Sequence, residues 1–297
     1  MFIIFKQNTA KIQVSSFEEK LLSKKVGIDI GQSLTKIASI DGDNMILSIF
    51  PTKQSFNKIS EFFEIVKSDI EQINLTGGKA YNMFKKYEEQ YHCKLIDEFE
   101  ANIKGVEFLF QSNENQPLPH SLIVTIGTGT SVVLKKEDFS HVGGTALGGG
   151  FFMGLNKLLF KVDDYQEAIE IAKKGNRYNV DLKVGDIYAP EDQRIDLLFR
   201  EFTAASLGKI DLNFDLNNLK REDFIKSIIC MIGENIGTMA YLMADYNDIS
   251  NIVFCGGFLK DNRIARKNLA LISKVHKKKA IFLNNSEFCG AIGALFL

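Results

Sequence analysis

Three short stretches of this sequence hold residues suited to binding phosphate. The first is "VGIDIGQSLTK", residues 26–36, an apolar strand pattern interrupted by a carboxylate, Asp29, before Gly31. A carboxylate at the end of a central strand suits Mg²⁺, usually held through water. Lys36, five residues past the glycine, can neutralise phosphate charge, and Ser33 and Thr35 add hydroxyls. The second and third stretches, "TIGTGTS" (125–131) and "FCGG" (254–257), again place glycines after apolar strands. Glycine lets backbone N–H groups approach an anion with no Cβ in the way, and successive amides form a concave nest. Any one of these turns also reads as a plain hairpin. All three together argue for more: two such loops facing each other across a cleft would hold a polyphosphate. One is 31–36, with Gly31, Gln32, Ser33, Leu34 and Lys36; the other begins Gly127, Thr128, Gly129. The spacing is not G-x-x-x-x-G-K-[ST], and no G-x-G-x-x-G opens a helix after the first strand.

Phosphoryl transfer to a hydroxyl often needs a base as well. "IDEFEAN" (96–102) offers three carboxylates. Asp97 stands where a strand ends and reads as a helix N-cap. Glu98 then falls in the first helical turn, where the helix dipole favours the ionised form that a base requires. Glu100 lies about 200° round the helix from Glu98, so the two do not share one site. Acidic residues in a first turn are also common as simple stabilisers.

The elements that must position these groups are legible. Residues 26–40 read as two strands and a tight turn, and 59–70 has helical spacing. The stretch 73–81 is a strand running into a glycine turn, and 93–110 is a strand entering a helix. On that helix Phe99, Ile103, Val106 and Phe110 fall on one face. "SNENQPLP" (112–119) lacks apolar periodicity and is the best linker. Beyond it, 121–136 repeats strand, glycine turn, strand; 143–160 is a glycine-rich loop feeding a helix; 165–176 is a helix stopped by Gly175. Residues 221–247 form a long apolar-faced helix, and 251–257 is a strand meeting glycines. A strand–glycine–strand unit opens each half, which argues for two α/β domains with a cleft between them.

Composition narrows the function. With 36 basic against 37 acidic residues the net charge is −1, which gives no reason to expect nucleic acid or an anionic membrane as partner. No apolar run reaches the ~18 residues of a membrane span. The N-terminal stretch is too short in apolar residues for a signal peptide. Cys93, Cys230, Cys255 and Cys289 are far apart, have no metal-ligand spacing and read as reduced thiols, so a cytoplasmic location is expected.

Taken in order, "GIDIGQSLTK", "LTGGKAY", "DEFEANIKG", "TIGTGTS", "VGGTALGGGFFMGL" and "IVFCGGF" closely resemble the type II, eukaryotic-like pantothenate kinases of the actin/hexokinase/Hsp70 superfamily. The resemblance covers roughly residues 25–297. It implies a two-domain actin-like ATPase (ribonuclease H-like) α/β fold with the nucleotide cleft between domains. The divisions would be an extension over 1–24, an N-terminal domain over 25–119 and a C-terminal, dimer-forming domain over 120–297. It also implies transfer of the ATP γ-phosphate to the 4′-hydroxyl of pantothenate, the first step of coenzyme A synthesis, with ATP and Mg²⁺ required. Glu98 would be the base, and Asp29 would hold Mg²⁺ through water. Gly256 and Gly257 would lie near the adenosine. Ser131, His141, Gly144, Thr203 and Ala204 would contact substrate, the last two from the partner subunit. Feedback inhibition by coenzyme A or its thioesters is common in the family. A homodimer is expected, with a hetero-dimer beside a paralogue as the alternative. The apolar residues Phe224, Ile228, Met231, Ile232, Met239, Leu242 and Met243 of the long helix suit either a dimer contact or a buried core.

Two positions depart from the family pattern. Gln32 stands where D-x-G-G-T-L-x-K has its second glycine. His141 stands where the family carries a substrate-binding arginine. Arginine offers a permanent charge and a planar fork of donors, whereas a histidine near neutral pH is largely uncharged. The readings are therefore an active kinase with altered substrate binding, or a degenerate paralogue serving as a structural or regulatory subunit. A superfamily relative acting on sugar or acetate fits the glycine-rich 143–150 run less well.

Overall fold

The computed structural model describes residues 9–66, 70–211 and 213–297; residues 1–8 of the expected extension lie outside them. β1 (Thr9–Gln13) and α1 (Ser16–Leu22) come first. A meander of β2 (Lys25–Ile30), β3 (Leu34–Asp41) and β4 (Asn44–Pro51) follows. Then come α2 (Ser55–Val66), β5 (Gln72–Thr76), α3 (Ala80–Tyr87), β6 (His92–Leu95) and α4 (Glu98–Glu114). The second half repeats the scheme with a meander of β7 (Ser121–Ile126), β8 (Thr130–Lys135) and β9 (Phe139–Thr145). It continues through α5 (Gly149–Phe160), α6 (Tyr165–Lys174), the strand β10 (Leu182–Lys183), the single turns α7 (Val184–Ile187) and α8 (Leu197–Arg200), and β11 (Thr203–Ala205). The long α9 (Arg221–Tyr246), β12 (Asn251–Cys255), α10 (Arg263–Val275), β13 (Lys279–Phe282) and α11 (Cys289–Phe296) complete the chain.

The first sheet runs β1-β4-β3-β2-β5-β6 and the second β13-β12-β7-β8-β9. Leaving β1 aside, both have one plan. An antiparallel meander of three strands is extended, on the far side of its first strand, by two strands parallel to that strand. β1 adds an antiparallel edge strand to β4, and Leu22 of α1 is fully buried.

Side-chain alternation assigns the faces. Val26, Ile28 and Ile30 of β2, with Ile73 and Leu75 of β5, pack under α2 and α3 in one core. Burying such a side chain stabilises by roughly 1.5–3 kcal/mol. Gly27, Asp29, Asn74 and Thr76 therefore occupy the opposite face. There the Asn74 amide donates to the Ala294 carbonyl of α11 at 2.7 Å. A second core joins both sheets: Ala38, Ile40 and Leu47 meet Ile123, Val133 and Val253 through Ile103 and Val106 of α4 and Ile292 and Leu295 of α11. α4 and α11 pack backbone to backbone, since a Cβ on Gly293 would collide with the Ala101 carbonyl. The third core places α6, α9 and α10 on the outer face of the second sheet.

The expected elements are present, with four adjustments. The helix expected over 59–70 begins earlier, at Ser55, and is described as far as Val66; residues 67–69 of that expectation lie outside the described residues, and Ile70 is not helical. Gly143 and Gly144 do not belong to a loop; they lie in β9, because β8 still had an edge to pair. Gly144 lets β9 approach, as a Cβ there would strike the Thr130 carbonyl. α4 extends through 112–114, and the linker begins at Asn115, whose φ of 52° ends the helix. Gly175 does end α6, with φ at −77°; its glycine character serves close packing on the Glu222 carbonyl at the start of α9. α9 is long and apolar enough by composition to cross a membrane, yet 56% of its most apolar window is buried inside the molecule.

Candidate active site

β2 and β3 place Asp29 directly opposite Lys36, and the Lys36 ammonium donates to Asp29 Oδ2 at 2.8 Å. Asp29 is only 8% exposed. It is enclosed from two sides by backbone. A Cβ on Gly290, at the start of α11, would lie 2.9 Å from Asp29 Oδ2. Gly77, just past β5, has φ of 93°, and a Cβ there would lie 2.5 Å from Asp29 Oδ1 and 2.7 Å from the Ile30 carbonyl. This position requires glycine on both counts.

The two expected loops do face each other: Ser33 Oγ and Thr128 Oγ1 are 3.1 Å apart. The first loop is held from behind by Thr52. Its hydroxyl donates to the Gly31 carbonyl at 2.8 Å, its N–H to the Ser33 carbonyl at 2.9 Å, and it pairs with Thr35 Oγ1 at 3.1 Å. Gln32 and Ser33 are exposed at the tip. The second turn closes through Gly127 N–H to the Gly129 carbonyl at 2.8 Å. α5 begins against it: Gly149 and Gly150 donate to the carbonyls of Gly127 and Thr128, each at 2.8 Å. A Cβ on Gly150 would lie 2.6 Å from Thr128 Cγ2, so the glycine run 148–150 shapes this turn. The third loop joins them. Gly256 has φ of 103°, and Gly257 faces Leu34 Cδ1, 3.9 Å from where its Cβ would be.

Glu98 opens α4, with Asp97 as N-cap accepting from Phe99 N–H at 2.9 Å and Glu100 N–H at 3.0 Å. Glu98 is exposed by surface area, while nearby protein still hinders the hydration of its carboxyl. Burial is the main cause that pushes its pKa above the ordinary carboxylate range; the Asp29 charge adds to this, Lys36 opposes it, and Asp97 contributes a smaller rise. The base candidate thus lies within electrostatic reach of the Asp29–Lys36 pair. The next residue, Phe99, stacks on His141 with ring centroids 4.6 Å apart. That brings His141 of β9 to the same helical turn, and Ser131 pairs with Gly144 across β8 and β9. Thr203 and Ala204 stand elsewhere, on the β10–β11 ribbon, where Thr203 pairs with Lys183.

No group of three or more His, Cys, Asp or Glu suited to a metal occurs among the described residues. The donor set fits a cation held by one carboxylate, waters and phosphate oxygens, which is how Mg²⁺ usually binds, and does not fit an all-protein cage. Thr52 and Gly290 escaped the sequence reading, and the glycine turn at 77–78 is read there as a turn but not as a neighbour of Asp29. The turn is readable because "LTGGK" and "FCGGF" both end a strand in paired glycines. Thr52 carried no local signal, since its partners come from a loop about twenty residues earlier.

A family model described as Fumble matches residues 35–297. The sequence is 35% identical over 274 residues to the type II pantothenate kinase of Oceanobacillus iheyensis, covering 92% of this chain and 98% of that protein. It is 31% identical over 277 residues to the type II pantothenate kinase of Bacillus anthracis, covering 92% and 97%. In three dimensions it matches the activator of the 2-hydroxyisocaproyl-CoA dehydratase from Clostridium difficile, solved with bound ADPNP. The TM-score is 0.61 at 17% identity, over 92% of this chain and 93% of that one. A ROK family protein from Streptococcus pneumoniae in complex with sucrose matches at TM-score 0.54 and 12% identity, over 91% and 96%. These likenesses are of fold, and the fold is the expected two-domain actin-like one.

Proposed function

The chain belongs to the Fumble family, and from that premise we infer that it is a pantothenate kinase, using ATP to phosphorylate pantothenate in coenzyme A biosynthesis. The observation that carries this reading is the grouping of Asp29, Lys36 and Glu98 beneath two turns that touch through Ser33 and Thr128.

In this reading the ATP phosphates lie between loop 31–34 and turn 127–129, with adenosine toward Gly256 and Gly257. Lys36 has three ammonium donors and spends one on Asp29, so it can also face phosphate. Asp29 would hold Mg²⁺ through water, and the ion would supply further neutralisation of phosphate charge. Glu98 takes the proton of the pantothenate 4′-hydroxyl as that oxygen bonds to the γ-phosphorus and the bond to the bridging oxygen breaks. A base works best when its pKa lies near the working pH, and the raised Glu98 carboxyl moves in that direction. Ser131, His141 and Gly144 line the acceptor side. A homodimer would bring Thr203 and Ala204 to a partner's acceptor site, and coenzyme A or a thioester would compete there. Of the seven apolar residues of α9 first considered for a dimer contact, all but Leu242 pack in or against the chain's own core. Leu242, 53% exposed, and Tyr246, 89% exposed, are the apolar surface α9 leaves for a partner.

Purified protein given ATP, Mg²⁺ and pantothenate should form ADP and 4′-phosphopantothenate in equal amounts. ADP release that does not depend on pantothenate would reject the reading. Light scattering should give twice the 33.4 kDa of one chain.

A further inference from the structure

The strand beside Asp29 ends in a buried hydroxyl without a partner. Thr76 closes β5, is fully buried, and stands in register with Asp29 on the parallel strand β2. Its Oγ1 accepts and donates no hydrogen bond among the described residues. Leaving such a group unsatisfied costs about 1–3 kcal/mol, and buried hydroxyls are nearly always paired. A buried orphan hydroxyl beside a charged pair calls for a partner, such as an ordered water or an ion.

Its direction follows from the sheet. Residues in register on neighbouring strands share a face, so Lys36, Asp29 and Thr76 form one row across β3, β2 and β5. Leu75 points the other way, into the core under α2 and α3. Asn74, two residues earlier and on the Thr76 face, already binds α11. The second sheet shows what a satisfied version looks like. There Cys255 closes β12 in register with Thr125, and Thr125 Oγ1 and Cys255 Sγ are bonded at 3.3 Å. In the first sheet Asp29 Oδ2 is taken by Lys36 and Oδ1 lies under Gly77, so the row does not close on itself.

We propose that Thr76 is a positioning residue whose hydroxyl binds a water in the shell of the cation that Asp29 holds when nucleotide is present. The proposal rests on the kinase reading above. It is tested with Thr76→Val, which removes the hydroxyl at nearly constant shape, and Thr76→Ser, which keeps it. Calorimetry measures ATP affinity with Mg²⁺ and with excess chelator; thermal unfolding is followed without ligand. Thr76→Val should melt no lower than wild type, because an unsatisfied group is gone. It should bind ATP in Mg²⁺ roughly three- to tenfold more weakly, the worth of one hydrogen bond, and bind ATP in chelator as wild type does. Thr76→Ser should keep the wild-type Mg²⁺ dependence. Wild-type affinity of Thr76→Val in Mg²⁺ overturns the proposal and leaves the kinase reading intact. So does equal weakening of both variants together with a lower melting temperature, which would mean that the methyl packing matters. Wild-type protein that binds no nucleotide at all removes the kinase reading and this proposal with it.

Discussion

At the cleft end of the first sheet, Lys36, Asp29 and Thr76 stand side by side; at the matching end of the second, Ser131, Thr125 and Cys255 do. Both rows precede an isoleucine and a glycine turn. Both adjoin a glycine of positive φ, Gly77 or Gly256, where a Cβ would strike the isoleucine carbonyl, Ile30 or Ile126. The backbone solution is shared, and the chemistry is not. One row carries a cation and an anion with an orphan hydroxyl, while the other is neutral and partly satisfied within itself. In the kinase reading proposed above, a common strand–turn–strand frame would serve two tasks: the neutral copy would shape the phosphate cradle and, through Ser131, the acceptor side, and the charged copy would neutralise the reacting phosphate. Glu98 belongs to the charged side, since its carboxyl responds to Asp29 and Lys36.

The largest effect should come from that asymmetry. Glu98→Gln should lower turnover by about 10²- to 10⁴-fold while ATP still binds, the usual contribution of a general base. Ser131→Ala, in the neutral row, should leave turnover within about tenfold of wild type, since it removes at most one uncharged hydrogen bond. Steady-state kinetics beside calorimetric ATP titration checks both. Equal losses in the two variants would break the division of labour.

His141 tests the acceptor side next. Its ring is stacked on Phe99, one residue from Glu98. His141→Arg supplies a permanent charge, and a charge-assisted hydrogen bond is worth roughly 1.5–3 kcal/mol. KM for pantothenate should fall about tenfold or more, with KM for ATP unchanged. If His141→Arg and His141→Ala both leave KM as it was, the residue lies outside the acceptor site.

Much of this is legible in the sequence alone. The turns at 31–34 and 127–129 are local, so glycine placement and strand alternation revealed them, and the N-cap role of Asp97 follows from three adjacent residues. Two classes of feature were not legible. One depends on partners distant in sequence: Thr52 behind the first loop, and Gly290, almost at the end of the chain, against Asp29. The other depends on register, because only the pairing of β5 with β2 makes Thr76 a neighbour of Asp29. The apolar residues of α9 were ambiguous for a related reason, since periodicity reports that a face is covered and not by what.

The paired glycines give the next measurement. Gly77→Ala and Gly256→Ala each force a Cβ into a left-handed backbone and against an isoleucine carbonyl. A non-glycine residue held in sparsely populated backbone costs on the order of 1–3 kcal/mol. Both should lower stability to denaturant by similar amounts. Gly77→Ala should in addition weaken ATP binding in Mg²⁺, because its new Cβ would also meet Asp29 Oδ1. Matching losses of stability with unequal Mg²⁺ dependence would sharpen the contrast between the rows; identical nucleotide behaviour would blur it.

The smallest effect isolates the charge of Asp97, which touches no reacting group. Burial is the chief cause of the raised Glu98 carboxyl, with Asp29 next and Asp97 a lesser like charge. A base acts only when ionised, so activity should climb as pH rises through the raised value. Asp97→Asn removes the like charge and keeps an oxygen able to cap, since asparagine caps about as well as aspartate. Its acid limb should therefore sit at lower pH than wild type, with stability nearly unchanged. Asp97→Ala should shift the limb the same way and also lose about 1 kcal/mol of stability with the cap. Linkage fixes the sign of a second readout. A carboxyl whose pKa is raised on folding contributes stability below its unfolded pKa, and loses it as pH rises through the folded value. Glu98→Gln should thus match wild type in strong acid and exceed it in stability above the raised Glu98 pKa. An acid limb that stays fixed in both Asp97 variants would mean that the titrating group is not Glu98.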